Sequence, residues 1–231
     1  MSDLEEADVT PAATTDLLPW EDKQRFRKIF RTQASRSYLH LSLGMGLLAF
    51  ALPLVMIALA GYGQHYSISH YYHDPRTRDV LVGFLCGVGA FLILFQGLSR
   101  IENWLLNIAG GAVVTVAFVP MAADQCAKGA SLHGLAAGVF FLCLSVVAAF
   151  LSKKRLKYII YPPMRARFAR AYTICGIAML TIPGSIMALH FLRPESCHNL
   201  DIFWAETLGI WSFAAYWFWK TYEYRKLLGI R

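Results

Sequence analysis

Residues 65–83, HYSISHYYHDPRTRDVLVG, put three of the chain's seven histidines into nine positions, beside Asp74, Arg76, Arg78 and Asp79 and directly before an apolar run. Imidazoles next to carboxylates are zinc chemistry. A catalytic zinc takes three protein ligands and a water whose pKa falls to about 7. His70 and His73 lie three apart and Ser69 and His73 four apart, so on a helical turn each pair shares a face. His133 or His198 would complete such a set from other loops; His70, His73 and His133 are the candidate metal ligands and zinc the candidate cofactor. No HExxH or CxxC spacing accompanies them. The competing reading is the polar collar of a membrane helix, its side chains tied into hydrogen bonds and ion pairs.

The elements that must carry these residues are set by composition. Hydrophobic residues make up 56% of the chain and charged residues 16%, against about 25% charged in soluble domains. A bilayer core about 30 Å thick takes roughly 20 largely apolar residues to cross as a helix. Six stretches satisfy this, residues 41–61, 80–98, 105–122, 133–151, 172–191 and 202–219, and Glu206 is the one charge well inside any of them. Continuous apolar runs without a two-residue alternation argue against a barrel. The expected fold is an all-α, polytopic membrane protein with six transmembrane helices.

The net charge of +7 is unevenly spread. Assigning the connecting segments alternately to two sides collects Lys23 to Arg36, Arg100, Lys153 to Arg170 and Lys220 to Arg231 on one, leaving Arg76, Arg78, Lys128 and Arg193 on the other. The positive-inside rule then places both termini in the cytoplasm. Such basic segments attract anionic lipid headgroups. No basic groove with interleaved aromatics points to nucleic acid. Residues 1–19 read as an acidic, disordered cytoplasmic tail without the features of a signal peptide. Residues 20–37 read as an amphipathic interfacial segment, and residues 38–231 as a single six-helix domain. Glycines at 83, 87, 110 and 111 are expected at helix contacts.

With that topology, Ser69, His70, His73, Arg78, Asp79, His133, Glu195, His198 and Glu206 gather on the non-cytoplasmic face as a candidate ligand-binding or structural polar cluster. Ionisable groups bordering membrane spans mark such places. Asp79 is positioned to cap the second helix and Arg78 to pair with Glu206 or Glu195. Tyr66, Tyr71 and Tyr72 read as interfacial belt residues. Cys126 and Cys197, the two cysteines in outer loops, are a candidate disulfide.

The segments SISHYYH (residues 67–73), RDVLVGFLCGVGAFLILFQG (78–97), RARFARAYTICG (165–176) and FWAETLGIWSFAAYWFWK (203–220) resemble small bacterial six-span membrane proteins classed under domains of unknown function, distantly similar to the FRAG/DRAM/Sfk group. That resemblance implies a bacterial inner-membrane protein and little about activity, its eukaryotic relatives being linked to membrane trafficking and lipid organisation; the polar residues themselves read as a non-enzymatic network of ion pairs and hydrogen bonds. Ser69, His73 and Asp79 also resemble part of the pattern of the ceramidase and adiponectin-receptor hydrolases, although the paired histidines and seventh helix of that superfamily are missing. The expected function is therefore membrane organisation or lipid and ligand binding. The alternatives are a metal-dependent lipid hydrolase at the outer leaflet and a small transporter that uses Glu206.

Overall fold

Proline, serine and glycine place the helix ends. The computed structural model describes residues 20–121, 131–159, 161–192 and 200–228, and among these residues all regular secondary structure is helical. The helices are α1 (Trp20–Ala60), α2 (Arg78–Leu94), α3 (Arg100–Phe118), α4 (Leu132–Val146), α5 (Pro162–Leu192) and α6 (Asp201–Leu228). Residues 1–37 and 38–231 form two units. The described part of the first is helical from Trp20 onward; the packing and the sites that follow belong to the second.

Three stretches, Gln33–Ala60, Arg100–Phe118 and Leu132–Lys157, are long and apolar enough to cross a membrane, with mean hydropathies of 2.4, 1.4 and 2.5. They mark a membrane-embedded protein. The third is longer than α4 alone because a π turn over Val147–Leu151 and a 3-10 turn over Ser152–Tyr158 prolong it. The expected span over 105–122 is shifted towards its N-terminus. Ser99 caps α3 by accepting the Glu102 backbone N–H at 3.2 Å, and the helix stops at Phe118, ahead of Pro120. The turn from α2 into α3 closes on the same acid: Glu102 accepts from Leu98 N at 2.9 Å, and Asn103 accepts from Gly97 N at 2.6 Å. A Cβ on Gly97 would collide with the Glu102 side chain.

Helices in lipid gain nothing from burying apolar surface against one another, so close approach and van der Waals fit decide their packing. Neighbours in sequence are neighbours in space, with α2 against α3, α3 against α4, α4 against α5 and α5 against α6. Between α2 and α3 the contact is made by Gly89 and Gly110, where a Cβ on either would lie 3.0 and 2.9 Å from the other's carbonyl oxygen. The glycines expected there from sequence divide differently: Gly110 is at the contact, Gly87 would meet only Leu48, and Gly83 and Gly111 face open space. Gly176 of α5 fits against the backbone of Ser145 and Ala149, and Ser145 Oγ donates to the Gly176 carbonyl at 2.7 Å. Gly209 of α6 leaves room for the Pro183 ring in α5. Residues 38–60 of α1 pack in the main core through Met45 and Ala49, and Phe50 accepts from Trp211 Nε1 of α6 at 3.2 Å.

Candidate functional site

Two polar clusters lie near opposite ends of α6. Glu206 and Lys220 are fourteen positions apart, which is about 21 Å along a helix.

The first cluster is built on the segment between α1 and α2. Gly61 and Gly63 take positive φ values of 94° and 76°, which lets the chain turn back on itself after α1. Tyr71, in the 3-10 turn Ser69–His73, is completely buried and donates its hydroxyl to the Gly61 carbonyl at 3.0 Å. Thr77 Oγ1 donates to the Tyr71 carbonyl at 2.7 Å. Ile68, Tyr71 and Leu81 pack with Leu52, Met56 and Phe203 in a small apolar core that holds the segment down.

Glu206 reaches this segment from α6. Its Oε2 accepts from Ser67 Oγ at 2.9 Å, from Ile68 N at 2.5 Å and from Ser69 N at 3.3 Å. Its Oε1 accepts from Ser69 Oγ at 3.1 Å. Ser67 Oγ also accepts from Ser69 N at 3.1 Å. A carboxylate beside an apolar core needs such donors, since an unpaired charge there is costly. The arrangement is a clasp joining the loop to the last helix. Of the residues that compose it, Ser69 and Glu206 belong to the cluster expected from sequence; Ser67 and the Ile68 amide do not.

The histidines take other partners. His65 Nδ1 and His70 Nδ1 are 3.1 Å apart and share a hydrogen bond. His73 Nε2 pairs with the Met121 carbonyl at 3.0 Å, and His133 Nδ1 pairs with the Val119 carbonyl at 2.7 Å. The His70 and His73 rings touch, with centroids 5.1 Å apart. Among the described residues no group of three or more His, Cys, Asp or Glu side chains is arranged to hold a metal ion, so His70, His73 and His133 do not converge as a ligand set.

Two of the expected arrangements, the Arg78–Glu206 pair and the Asp79 cap, are corrected; the alternative Arg78–Glu195 pair involves a residue outside the described ones. Arg78 donates to the Tyr72 hydroxyl at 3.0 Å and lies 4.7 Å above that ring, whereas Glu206 is taken up by Ser67, Ile68 and Ser69. Asp79 is not the cap of α2: Thr77 holds that position, and Asp79 sits in the first turn, where its charge still favours the helix dipole. Tyr71 is buried core, not an interfacial belt residue. Glu195, His198, Cys126 and Cys197 lie outside the described residues.

Asp74 is the charged partner that sequence reasoning passed over. It accepts from Arg76 at Nη2 (2.8 Å), Nε (3.2 Å) and the backbone N (2.9 Å), and His65 Nε2 lies 3.7 Å away. The Arg76 hydrogen bonds hold the Asp74 carboxyl well below the usual carboxylate range. Burial, with a smaller contribution from Asp74, raises the Tyr71 phenol.

The second cluster was not foreseen, because its cations read as solvated loop charges. Lys220 and Glu223 are both fully buried, with Nζ 3.7 Å from Oε2. Tyr172 of α5 donates its hydroxyl to Glu223 Oε2. The Lys220 ammonium stands 5.2 Å from the Tyr172 ring and 5.9 Å from the Tyr216 ring. Ser152 Oγ and Tyr216 OH are joined at 2.7 Å. Arg155 stacks 4.8 Å above Tyr224, and Arg155 and Glu102 act on Lys220 electrostatically. Lys220 Nζ, Arg155 Nε, Glu102 Oε1 and Glu223 Oε1 make no hydrogen bond. Two cations and two anions are thus buried together, from α3, the turn after α4, and α6. The spacing of Lys220 and Glu223, three apart behind an aromatic run, is the signal that could have revealed the pair.

The chain matches no family model, no curated protein and no solved structure.

Proposed function

We infer that this chain is a six-span protein of a bacterial inner membrane, with both termini in the cytoplasm and a non-enzymatic role in holding and organising lipid. The span count is supported by the lengths of the remaining helices: α2 has 17 residues, α5 31 and α6 28, and at 1.5 Å per residue even the shortest is about 26 Å long. An even number of spans brings both termini to one side, and the bias of Lys and Arg between the two sets of connecting segments makes that side the cytoplasm.

One observation carries the non-enzymatic reading. Glu206, the acid on which transport or acid-base chemistry would depend, has both oxygens occupied by donors from Ser67, Ile68 and Ser69. A carboxylate held in this way works as a tie between loop and helix. A hydrolase at the same face would also need imidazoles turned towards a common point, and His73 and His133 are instead bonded to main-chain carbonyls.

The test compares lipid retention with lipid turnover. Protein purified in mild detergent is analysed by mass spectrometry for co-purified phospholipid, and then incubated with zinc and phospholipid or ceramide in mixed micelles. Retained phospholipid without released fatty acid is expected. Fatty acid release that disappears in His73→Ala and His133→Ala would establish the hydrolase in its place.

A further inference from the structure

A groove of about 300 Å³ opens where α5 begins and α6 ends. Phe168, 1% exposed, forms its floor. Tyr161, Met164, Trp219 and Tyr222 wall it, and the exposed Arg167 stands on its lip. Phe168 meets Trp219 edge-on with centroids 5.8 Å apart and packs on Tyr222 at 5.6 Å. The walls are nevertheless open to the surroundings: Tyr161 is 62%, Trp219 38% and Tyr222 44% exposed.

The surrounding charge has one sign. Residues 152–170 contain seven basic residues and no acidic one. Lys226 on α6 reaches over Tyr222, its Nζ 5.3 Å from the ring centroid. The acid nearest in sequence, Glu223, is fully buried against Tyr172 and Lys220 and offers no compensation at the surface. An occupant of the groove must therefore be anionic at one end and tolerate an aromatic wall.

The surface leading away from the groove specifies the rest. Pro163, Arg167, Arg170, Ile174 and Ile177 recur at three- and four-residue spacing, so they lie on one face of α5. Ile174 and Ile177 are 59% and 52% exposed. From Arg167 to Ile177 is about 15 Å along the helix, half of a hydrocarbon core about 30 Å thick. A headgroup held at Arg167 would lay its acyl chain on an aliphatic strip that ends near the bilayer midplane.

We propose that this groove is a binding site for one anionic phospholipid of the inner leaflet, its phosphate held by Arg167 and Lys226 and its glycerol and upper acyl chain held against Trp219, Tyr222 and Met164. The proposal rests on the membrane orientation inferred above and names the lipid that the proposed function would hold. A soluble phosphate would use the cations but neither the aromatic wall nor the aliphatic strip.

The experiment uses the full chain in phosphatidylcholine nanodiscs into which a small fraction of acyl-brominated phosphatidylglycerol or brominated phosphatidylcholine is mixed. The readout is the emission lost on Trp219→Phe, which isolates that tryptophan. Each basic residue near a membrane surface favours an anionic lipid by about fivefold. Brominated phosphatidylglycerol is expected to quench Trp219 at severalfold lower mole fraction than brominated phosphatidylcholine, with the difference lost in Arg167→Gln/Lys226→Gln. Both replaced side chains are on the surface, and an unchanged circular dichroism melt verifies the fold. Equal quenching by the two lipids overturns the proposal, as does a preference that survives the double substitution or is displaced by inorganic phosphate. The orientation is read separately with a membrane-impermeant maleimide at Lys153→Cys in a chain whose Cys126 and Cys197 are replaced by serine. Labelling from outside intact cells would overturn the orientation alone, since both faces of a nanodisc are accessible.

Discussion

Replacing Glu206 by alanine removes the acceptor for four donors at once: Ser67 Oγ, Ile68 N, Ser69 N and Ser69 Oγ. A net contribution of about 1 kcal/mol per hydrogen bond puts the loss near 4 kcal/mol, and solvent reaching the partly buried loop reduces it to about 3 kcal/mol. Glutamine behaves differently. Its amide oxygen can take the place of Oε2 and keep three donors, while its NH2 donates to Ser69 Oγ, which as a hydroxyl also accepts. Only the charge assistance is lost, about 1 kcal/mol. Hydrogen exchange of a peptide covering residues 65–73 reads this locally, since each 1.4 kcal/mol of opening free energy is about a decade in protection. Glu206→Ala should lower protection of the Ile68 and Ser69 amides by about two decades, and Glu206→Gln by less than one. Unchanged protection in the alanine variant would refute the clasp. Equal damage from glutamine and alanine would show that the negative charge itself is the working feature, as a transporter requires.

The buried pair at the other end predicts a different pattern. Glu223→Ala strands the fully buried Lys220 and should cost about 3–5 kcal/mol, most of it recovered in Lys220→Met/Glu223→Leu; a thermal-melt series in which the double variant is no better than the single one would contradict this. Gly89→Leu drives a side chain into Val114 and the Gly110 carbonyl and should destabilise by about 1–3 kcal/mol. Gly83→Leu, with nothing within 4 Å of the new Cβ, should stay within about 0.5 kcal/mol of the parent. Because the folded Asp74 carboxyl titrates below its unfolded range, its contribution is complete above about pH 4 and is lost only as pH falls further. Exchange in residues 70–78 should therefore be faster in Asp74→Asn than in the wild type at neutral pH, and the difference should vanish only as the pH falls below about 4. A difference already lost between about pH 6 and 5 would contradict the Asp74–Arg76 assignment.

Much of this architecture can be read from the chain because lipid leaves the backbone few choices. Apolar runs of membrane length must be helices, and punctuation by Ser99, Pro120 and Pro162 locates their ends within a few residues. The partners were less legible. His70, His73 and His133 share a residue type and a neighbourhood in the loop plan, but the directions of their rings follow from where the Val119 and Met121 carbonyls fall, and no spacing rule contains that. Arg78 was matched to Glu206 or Glu195 by charge alone, while the donors that Glu206 meets are two serine hydroxyls and two amides. Such groups carry no signal of their own in a sequence.

What the sequence alone determines here is a helical, membrane-embedded chain with a polar segment between its first two long helices, since hydropathy and the demand for satisfied backbone groups act locally. The tertiary structure decided which charges are solvated. Arg76, with its side chain 66% exposed, pairs in the open with Asp74, whereas Lys220, equally basic on paper, is sealed beside Glu223, Tyr172 and Tyr216. The difference lies in what α5 and the turn after α4 bring against α6. Burial is a property of the whole packing, and the free energy of a buried charge depends on neighbours distant in the chain.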